Sequence, residues 1–310
     1  MRGFPPVLEP WSRRRFLGAC AGLSALVPGL PAALAATSGP GQLDLLDVKE
    51  LVLPGDRRLA RRALVLSPRG RPGDTWPVLV LLHGMGETDD ERLGVRAWSD
   101  RYGLVTSDAR LRSSPLRREP RSRYLSETRA LGINEELHRQ PYRGFVLVCP
   151  VTPNVYAHPS TSFALDRYAD WIAKTLLPAV RANAPARADA ASTVIDGCSL
   201  GGYVAIEVFL RKPELFGALG TLQPAIGDRQ ASLYAGLLRK AIDRVGPRSV
   251  HIESSIWDPT TKIHEAMSAE LTRLGVPNQL DVLPGGHDQI FLREVGTLEM
   301  LLWHDRRMAR

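Results

Sequence analysis

A chain of 310 residues with 44% hydrophobic and 24% charged residues has enough apolar content for a sizeable core and too little charge density for a disordered chain. Its formal net charge is +7 at pH 7, but the arginines are spread along the chain, so the charge requires neither nucleic acid nor an anionic membrane as partner. Three cysteines exclude a disulfide-built scaffold.

The first segment reads as an export signal. Ser12-Arg13-Arg14-Arg15-Phe16-Leu17 matches the bacterial twin-arginine pattern, a weakly apolar Gly/Ala/Leu stretch follows, and Ala33-Leu34-Ala35 supplies an A-x-A cleavage site. Residues 1–35 are therefore expected to leave after passage through the twin-arginine translocon, giving a periplasmic or secreted protein that begins near Ala36. Pro28, Pro31 and the short length argue against a membrane anchor, and the apolar region follows Cys20 where a lipoprotein would have it before. Cleavage removes four arginines and one glutamate and lowers the net charge to about +4.

Residues 36–310 suit one α/β domain. Residues 45–53 and 62–66 flank Pro54-Gly55-Asp56 and read as an antiparallel pair. Val78-Leu79-Val80-Leu81-Leu82 is apolar without alternation, which marks a central parallel strand buried on both faces. It runs into His83-Gly84-Met85-Gly86-Glu87 and a helix containing Val95, Trp98 and Tyr102. Further strands are expected at residues 145–148, 217–221, 249–253 and 279–283 and one ending at Val194-Ile195, with a long amphipathic helix over 163–182 and helices between the later strands. Strands alternating with helices over this length mean a mostly parallel sheet covered on both sides. Cys149 and Cys198 each follow a predicted strand with a third strand between them, about 10 Å apart and too far for a disulfide.

Gly197-Cys198-Ser199-Leu200-Gly201 joins a β-branched strand end to a helix that Pro213 terminates. This is the G-x-S-x-G context in which a strained turn lifts a serine out of the sheet beside a helix N-terminus. Ser199 is the candidate nucleophile, and Cys198, one residue off the central position, is a buried filler. In a parallel sheet the reactive groups gather beyond the carboxyl ends of the strands. There Pro284-Gly285-Gly286-His287-Asp288 puts a histidine on a glycine loop, with His158 as its rival. His251 lies in a strand, His264 on a helix, His304 in the C-terminal tail, and His83 at the oxyanion strand. Asp258 follows the strand that ends near Glu253 and precedes a helix starting near Thr261; it is either an N-cap or the acid, with Glu253 the alternative acid. The chemistry these groups allow is acyl transfer: Ser199 attacks, His287 moves the proton, Asp258 orients the imidazole. The backbone N–H groups of Leu200 and Met85 are the expected oxyanion donors. No metal-ligand cluster, nucleotide fingerprint or other cofactor motif is visible.

Val80-Leu81-Leu82-His83-Gly84, Gly197-Cys198-Ser199-Leu200-Gly201-Gly202-Tyr203, Lys212-Pro213-Glu214-Leu215-Phe216-Gly217 and Pro284-Gly285-Gly286-His287-Asp288 together resemble the esterase D-type esterases. That branch of the α/β-hydrolases includes formylglutathione hydrolases, feruloyl and acetylxylan esterases, enterochelin esterases and mycolyltransferases. The resemblance covers roughly residues 46–300. It implies an α/β-hydrolase fold, with a mostly parallel sheet of about eight strands and helices on both faces. It also implies a serine carboxylester hydrolase acting on a small-molecule or sugar-linked ester. An acyltransferase would use the same acyl-enzyme, and a non-catalytic binding module is the competing class. A peptidase of the prolyl-oligopeptidase type has the same order of residues, but the chain has no room for a propeller.

The departure from the family is residues 107–143, where nine arginines face five acids. The segment is either a solvated excursion with a short helix over 126–138, or a lid or substrate wall. In the second case Arg117, Arg118, Arg121 and Arg123 are candidates to meet substrate.

Overall fold

The computed structural model describes residues 45–308; the expected signal segment 1–35 lies outside them. Eight strands, β1 (Leu46–Val52), β2 (Arg62–Pro68), β3 (Val78–Leu82), β4 (Val146–Pro150), β5 (Thr193–Gly197), β6 (Ala218–Leu222), β7 (Ser249–Ser255) and β8 (Asn278–Leu283), form one sheet in the order β1-β2-β4-β3-β5-β6-β7-β8. The β1–β2 and β2–β4 pairs are antiparallel, and the other pairs are parallel. The helices, in chain order, are α1 (Glu91–Arg96), α2 (Leu104–Arg112), α3 (Glu127–Arg139), α4 (Thr161–Trp171), α5 (Leu177–Asn183), α6 (Leu200–Arg211), α7 (Ala231–Val245), α8 (Thr261–Arg273), α9 (Gln289–Phe291) and α10 (Thr297–Arg307).

Strands β3 to β6 are buried along their whole length because each side of the pleat has its own helical layer. Val78, Val80, Leu82, Val146, Val148 and Ile195 meet helices α4 to α8. Leu79, Leu81, Leu147, Cys149 and Val194 meet α1 to α3 and α10 on the other side. An apolar run without alternation is therefore divided residue by residue between two cores. Both described cysteines, Cys149 and Cys198, are buried and free.

Three expectations change. The helix expected around Val95, Trp98 and Tyr102 is broken: α1 passes into a wider turn at Ala97–Arg101, and Gly103, at φ 76°, starts α2 afresh. Residues 107–112 consequently belong to α2, with Ser107, Asp108, Ala109 and Leu111 buried, so the irregular part of the arginine-rich segment is residues 113–126. His304 sits on α10, not in a tail; its Nε2 lies 2.7 Å from Asp196 Oδ2. Leu298, Leu301 and Leu302 lay α10 onto the sheet at helical spacing, which carries His304 over β5.

Candidate active site

The elbow between β5 and α6 holds Ser199 at φ 54° and ψ −118°, a left-handed backbone that a serine adopts only under constraint. The constraint is steric and hydrogen-bonded. A Cβ on Gly201 would lie 2.1 Å from the Leu82 carbonyl oxygen, and one on Gly197 would lie 2.5 Å from Gly201. Ser199 N–H donates to Leu222 O at 2.9 Å, and Ser199 O accepts from Ala225 N–H at 3.0 Å. Leu200 is the first residue of α6, so its N–H has no carbonyl within the helix to bond. Residues 200–210 are buried on every side, which clamps the helix beneath the serine. Burial, helped by the nearby Glu87 charge, pushes the Cys198 thiol well above its ordinary value, so it stays protonated.

The loop after β3 is held from two sides. His83 Nε2 accepts from Thr152 N–H at 2.8 Å, which puts the ring proton on Nδ1, and Nδ1–H donates to Gly84 O at 2.8 Å. Its backbone N–H donates to Thr152 Oγ1 at 2.7 Å. Burial lowers the imidazole to about 4, against the smaller opposing pull of the Gly84 carbonyl, so the ring is neutral near pH 7. Tyr102 holds the loop from below, accepting from Gly84 N–H at 3.3 Å and donating to the buried Glu87 carboxylate. The loop then turns into a short helical segment, Met85–Glu87, with Gly84 extended before it. The Met85 N–H thus starts a helical turn, as the Leu200 N–H does.

His287 and Asp258 meet directly, with Nδ1 3.0 Å from Oδ2. The other oxygen of Asp258 accepts from Thr260 N–H at 2.7 Å and Thr260 Oγ1 at 2.6 Å. Asp258 therefore holds the turn before α8 with one oxygen and meets the histidine with the other; Thr260, not Asp258, stands at the N-cap of α8, so the N-cap alternative for Asp258 falls. Burial opposes its ionisation, but the hydrogen bond and charge of His287, with Thr260 added, hold the carboxyl down at about 2. An ionised carboxylate only accepts, so His287 Nδ1–H donates to it, and in the neutral imidazole Nε2 carries the lone pair. Glu253, the alternative acid, is fully buried, and neither of its oxygens has a hydrogen-bond partner among the described residues. Burial, then the charges of Glu299, Asp281 and Asp196, raise its carboxyl well above the usual range. His158, the rival base, lies with Nε2 3.0 Å from Arg58 O.

Sequence reading missed the supports. Thr260 had a legible signal, since Asp-Pro-Thr before a helix is a turn in which an aspartate accepts from the residue two on. Thr152, Tyr102 and Gln223 act across 69, 18 and 63 residues and had none.

The arginines of residues 107–143 divide between inward pairing and exposure. Arg118 turns inward, donating to Leu125 O and Ser122 O. Arg112 pairs with Asp108, Arg129 with Glu299 and Arg143 with Asp305. Arg117, Arg121 and Arg123 remain exposed. The part that reaches the site is polar and aromatic. Glu294 Oε2 accepts from Ser122 Oγ, Arg123 N–H and Tyr124 N–H at 2.8, 2.6 and 2.8 Å. Tyr124 lies against Trp257, ring centroids 5.9 Å apart, and its hydroxyl lies 3.4 Å from Asp288. Trp257 and Ile256, next to Asp258, are 64% and 56% exposed.

The sheet order, the strained serine and the histidine–aspartate pair define an α/β-hydrolase. Residues 145–290 match the family described as "Putative esterase", and with the fold this puts the chain in the serine ester hydrolase class. No curated protein sequence matches it. Among solved structures the chain is similar to an S-formylglutathione hydrolase from Staphylococcus aureus, with a TM-score of 0.56 and 15% identity over 84% of this chain and 96% of that one. A ferulic acid esterase superposes with a TM-score of 0.59 and 18% identity, covering 84% and 98% of the two chains. A fluorophosphonate-binding serine hydrolase from Staphylococcus aureus gives 0.57 and 15%, covering 84% and 98%. At these identities the likeness is one of fold.

Proposed function

We propose that this protein is an exported carboxylester hydrolase that works through an acyl-enzyme on Ser199. Ser199 Oγ attacks the acyl carbon while His287 Nε2 takes the hydroxyl proton. The tetrahedral intermediate's oxygen accepts from the N–H groups of Leu200 and Met85, and the C–O bond to the alcohol breaks as His287 returns the proton to it. Water, deprotonated by His287, then attacks the acyl carbon, the bond from that carbon to Ser199 Oγ breaks as His287 returns the proton to Oγ, and the acid leaves. Asp258 holds His287 with the proton on Nδ1 and stabilises the imidazolium of each transition state. The observation that carries the reading is the division of Asp258's two oxygens between Thr260 and His287, beside a serine held at positive φ. Residues 113–126 form a wall of the entrance, with Tyr124 and Trp257 beside the acid and base, and the substrate is a small-molecule or sugar-linked ester.

A fluorophosphonate probe should label wild-type protein on Ser199, and Ser199→Ala should fold normally, remain unlabelled and hydrolyse no p-nitrophenyl ester. Labelling that persists in the variant, or folded wild type that never labels, puts the binding-module reading first. A panel of p-nitrophenyl acyl esters with feruloyl and acetyl sugars then identifies the acyl and alcohol groups.

A further inference from the structure

Among the described residues, two non-glycine residues have positive φ: Ser199 at 54° and Gln223 at 45°. Strain of this kind persists where surrounding contacts over-determine it, and at Ser199 it serves the elbow. Gln223 is the residue immediately after β6, 2% exposed, and nothing in the acyl-transfer scheme above uses it.

Its contacts say what it does. Its backbone N–H donates to Glu253 O at 2.7 Å, joining the end of β6 to β7. Its side-chain amide Nε2 donates to Ser255 Oγ at 2.7 Å and to Gly286 O at 3.0 Å. Gly286 precedes His287 in a Pro-Gly-Gly loop, and Gly285 stands at φ 147°, so the loop has little stiffness of its own. Two hydrogen bonds to consecutive carbonyls hold it: Trp257 N–H to Gly285 O at 3.0 Å, and the Gln223 amide to Gly286 O.

The residues on either side of Gln223 reach the other two groups. Leu222 O accepts from Ser199 N–H, and Ala225 N–H donates to Ser199 O. Pro224 O lies 3.0 Å from His264 Nε2, and Thr260, which holds Asp258, lies 3.4 Å from the same nitrogen. One four-residue stretch thus touches the supports of serine, histidine and aspartate.

We propose that Gln223 is a positioning residue that ties the histidine loop to the elbow, so that His287 and Ser199 keep one relative placement through acylation and deacylation. The proposal rests on the reading of Ser199, His287 and Asp258 as the reacting groups. The left-handed backbone is what turns the side chain across β7 to the loop. An error of about 1 Å between nucleophile and base can cost about 100-fold in rate without affecting how substrate is held.

The test compares wild type, Gln223→Met and Gln223→Glu with p-nitrophenyl acetate, counting sites by fluorophosphonate titration. Methionine keeps the length and the unbranched Cβ and loses both hydrogen bonds. We expect kcat per labelled site to fall about 10- to 100-fold with KM within about twofold. Gln223→Glu can donate only when protonated, so its kcat relative to wild type should rise as pH falls; a purely structural loss would not recover in this way. If the methionine variant does not fold, Gln223→Asn keeps an amide and tolerates the left-handed backbone while falling one methylene short, and should show the same loss of kcat. A folded Gln223→Met or Gln223→Asn with kcat per site within threefold of wild type overturns the proposal, as does a Gln223→Glu ratio flat with pH. Wild type that neither labels nor hydrolyses overturns the triad reading itself.

Discussion

Acidification should destabilise this protein through His83 in a way that can be isolated. Burial lowers the His83 imidazole from the 6.5 of an exposed histidine to about 4. The folded-state value lies below the unfolded one, so between these pH values the unfolded chain binds the extra proton. The stability involved is fully present above about pH 6.5, falls as pH drops, and is gone near pH 4. The whole effect is about 3 kcal/mol, and about 2 kcal/mol of it is lost between pH 7 and pH 5. The structural cause is specific. A proton on Nε2 would face the Thr152 N–H, donor against donor, at the junction that holds the loop before Met85. Urea unfolding of wild type and His83→Gln at pH 7 and pH 5 measures it, because glutamine can accept from Thr152 but does not titrate. His264 and His304, also lowered chiefly by burial, titrate in both proteins and cancel in the comparison. Wild type should lose about 2 kcal/mol more than the variant over this interval. Equal losses would refute the reasoning.

Two further outcomes concern the acid and export. Asp258→Asn should keep the Thr260 contacts but lose the charge that sets the His287 proton, lowering kcat by up to about 10⁴-fold, whereas Glu253→Gln should change kcat less than about twofold, since that carboxyl has no partner among the described residues and is held neutral by burial. Steady-state rates per labelled site decide this, and a severe Glu253→Gln with a mild Asp258→Asn would move the acid to β7. Replacing Arg13 and Arg14 by lysine should leave uncleaved precursor in the cytoplasm on fractionation; undiminished delivery of mature protein would point to the general secretory route.

The sequence determined whatever depends on neighbours along the chain. Val78–Leu82 is a strand buried on both faces because its apolar residues do not alternate, and the turn at Ser199 follows from Gly197 and Gly201, where a Cβ would strike backbone. Chain order picked out Ser199, Asp258 and His287, but order alone does not choose between Asp258 and Glu253. The tertiary structure separates them: five residues along, one carboxylate meets His287 and the other is sealed between the sheet and the last helices. The same holds for charge. Nine arginines in one stretch left a solvated excursion or a cationic wall open; Arg129 and Arg143 reach Glu299 and Asp305, more than 160 residues away, and the side chains that lie beside Asp258 and His287 are Trp257 and Tyr124. Gln223 lies furthest from what sequence can tell, since a glutamine carries no local signal for a left-handed backbone. Its conformation is imposed by β6, β7 and the histidine loop meeting at one point, and such convergence exists only once the chain has folded.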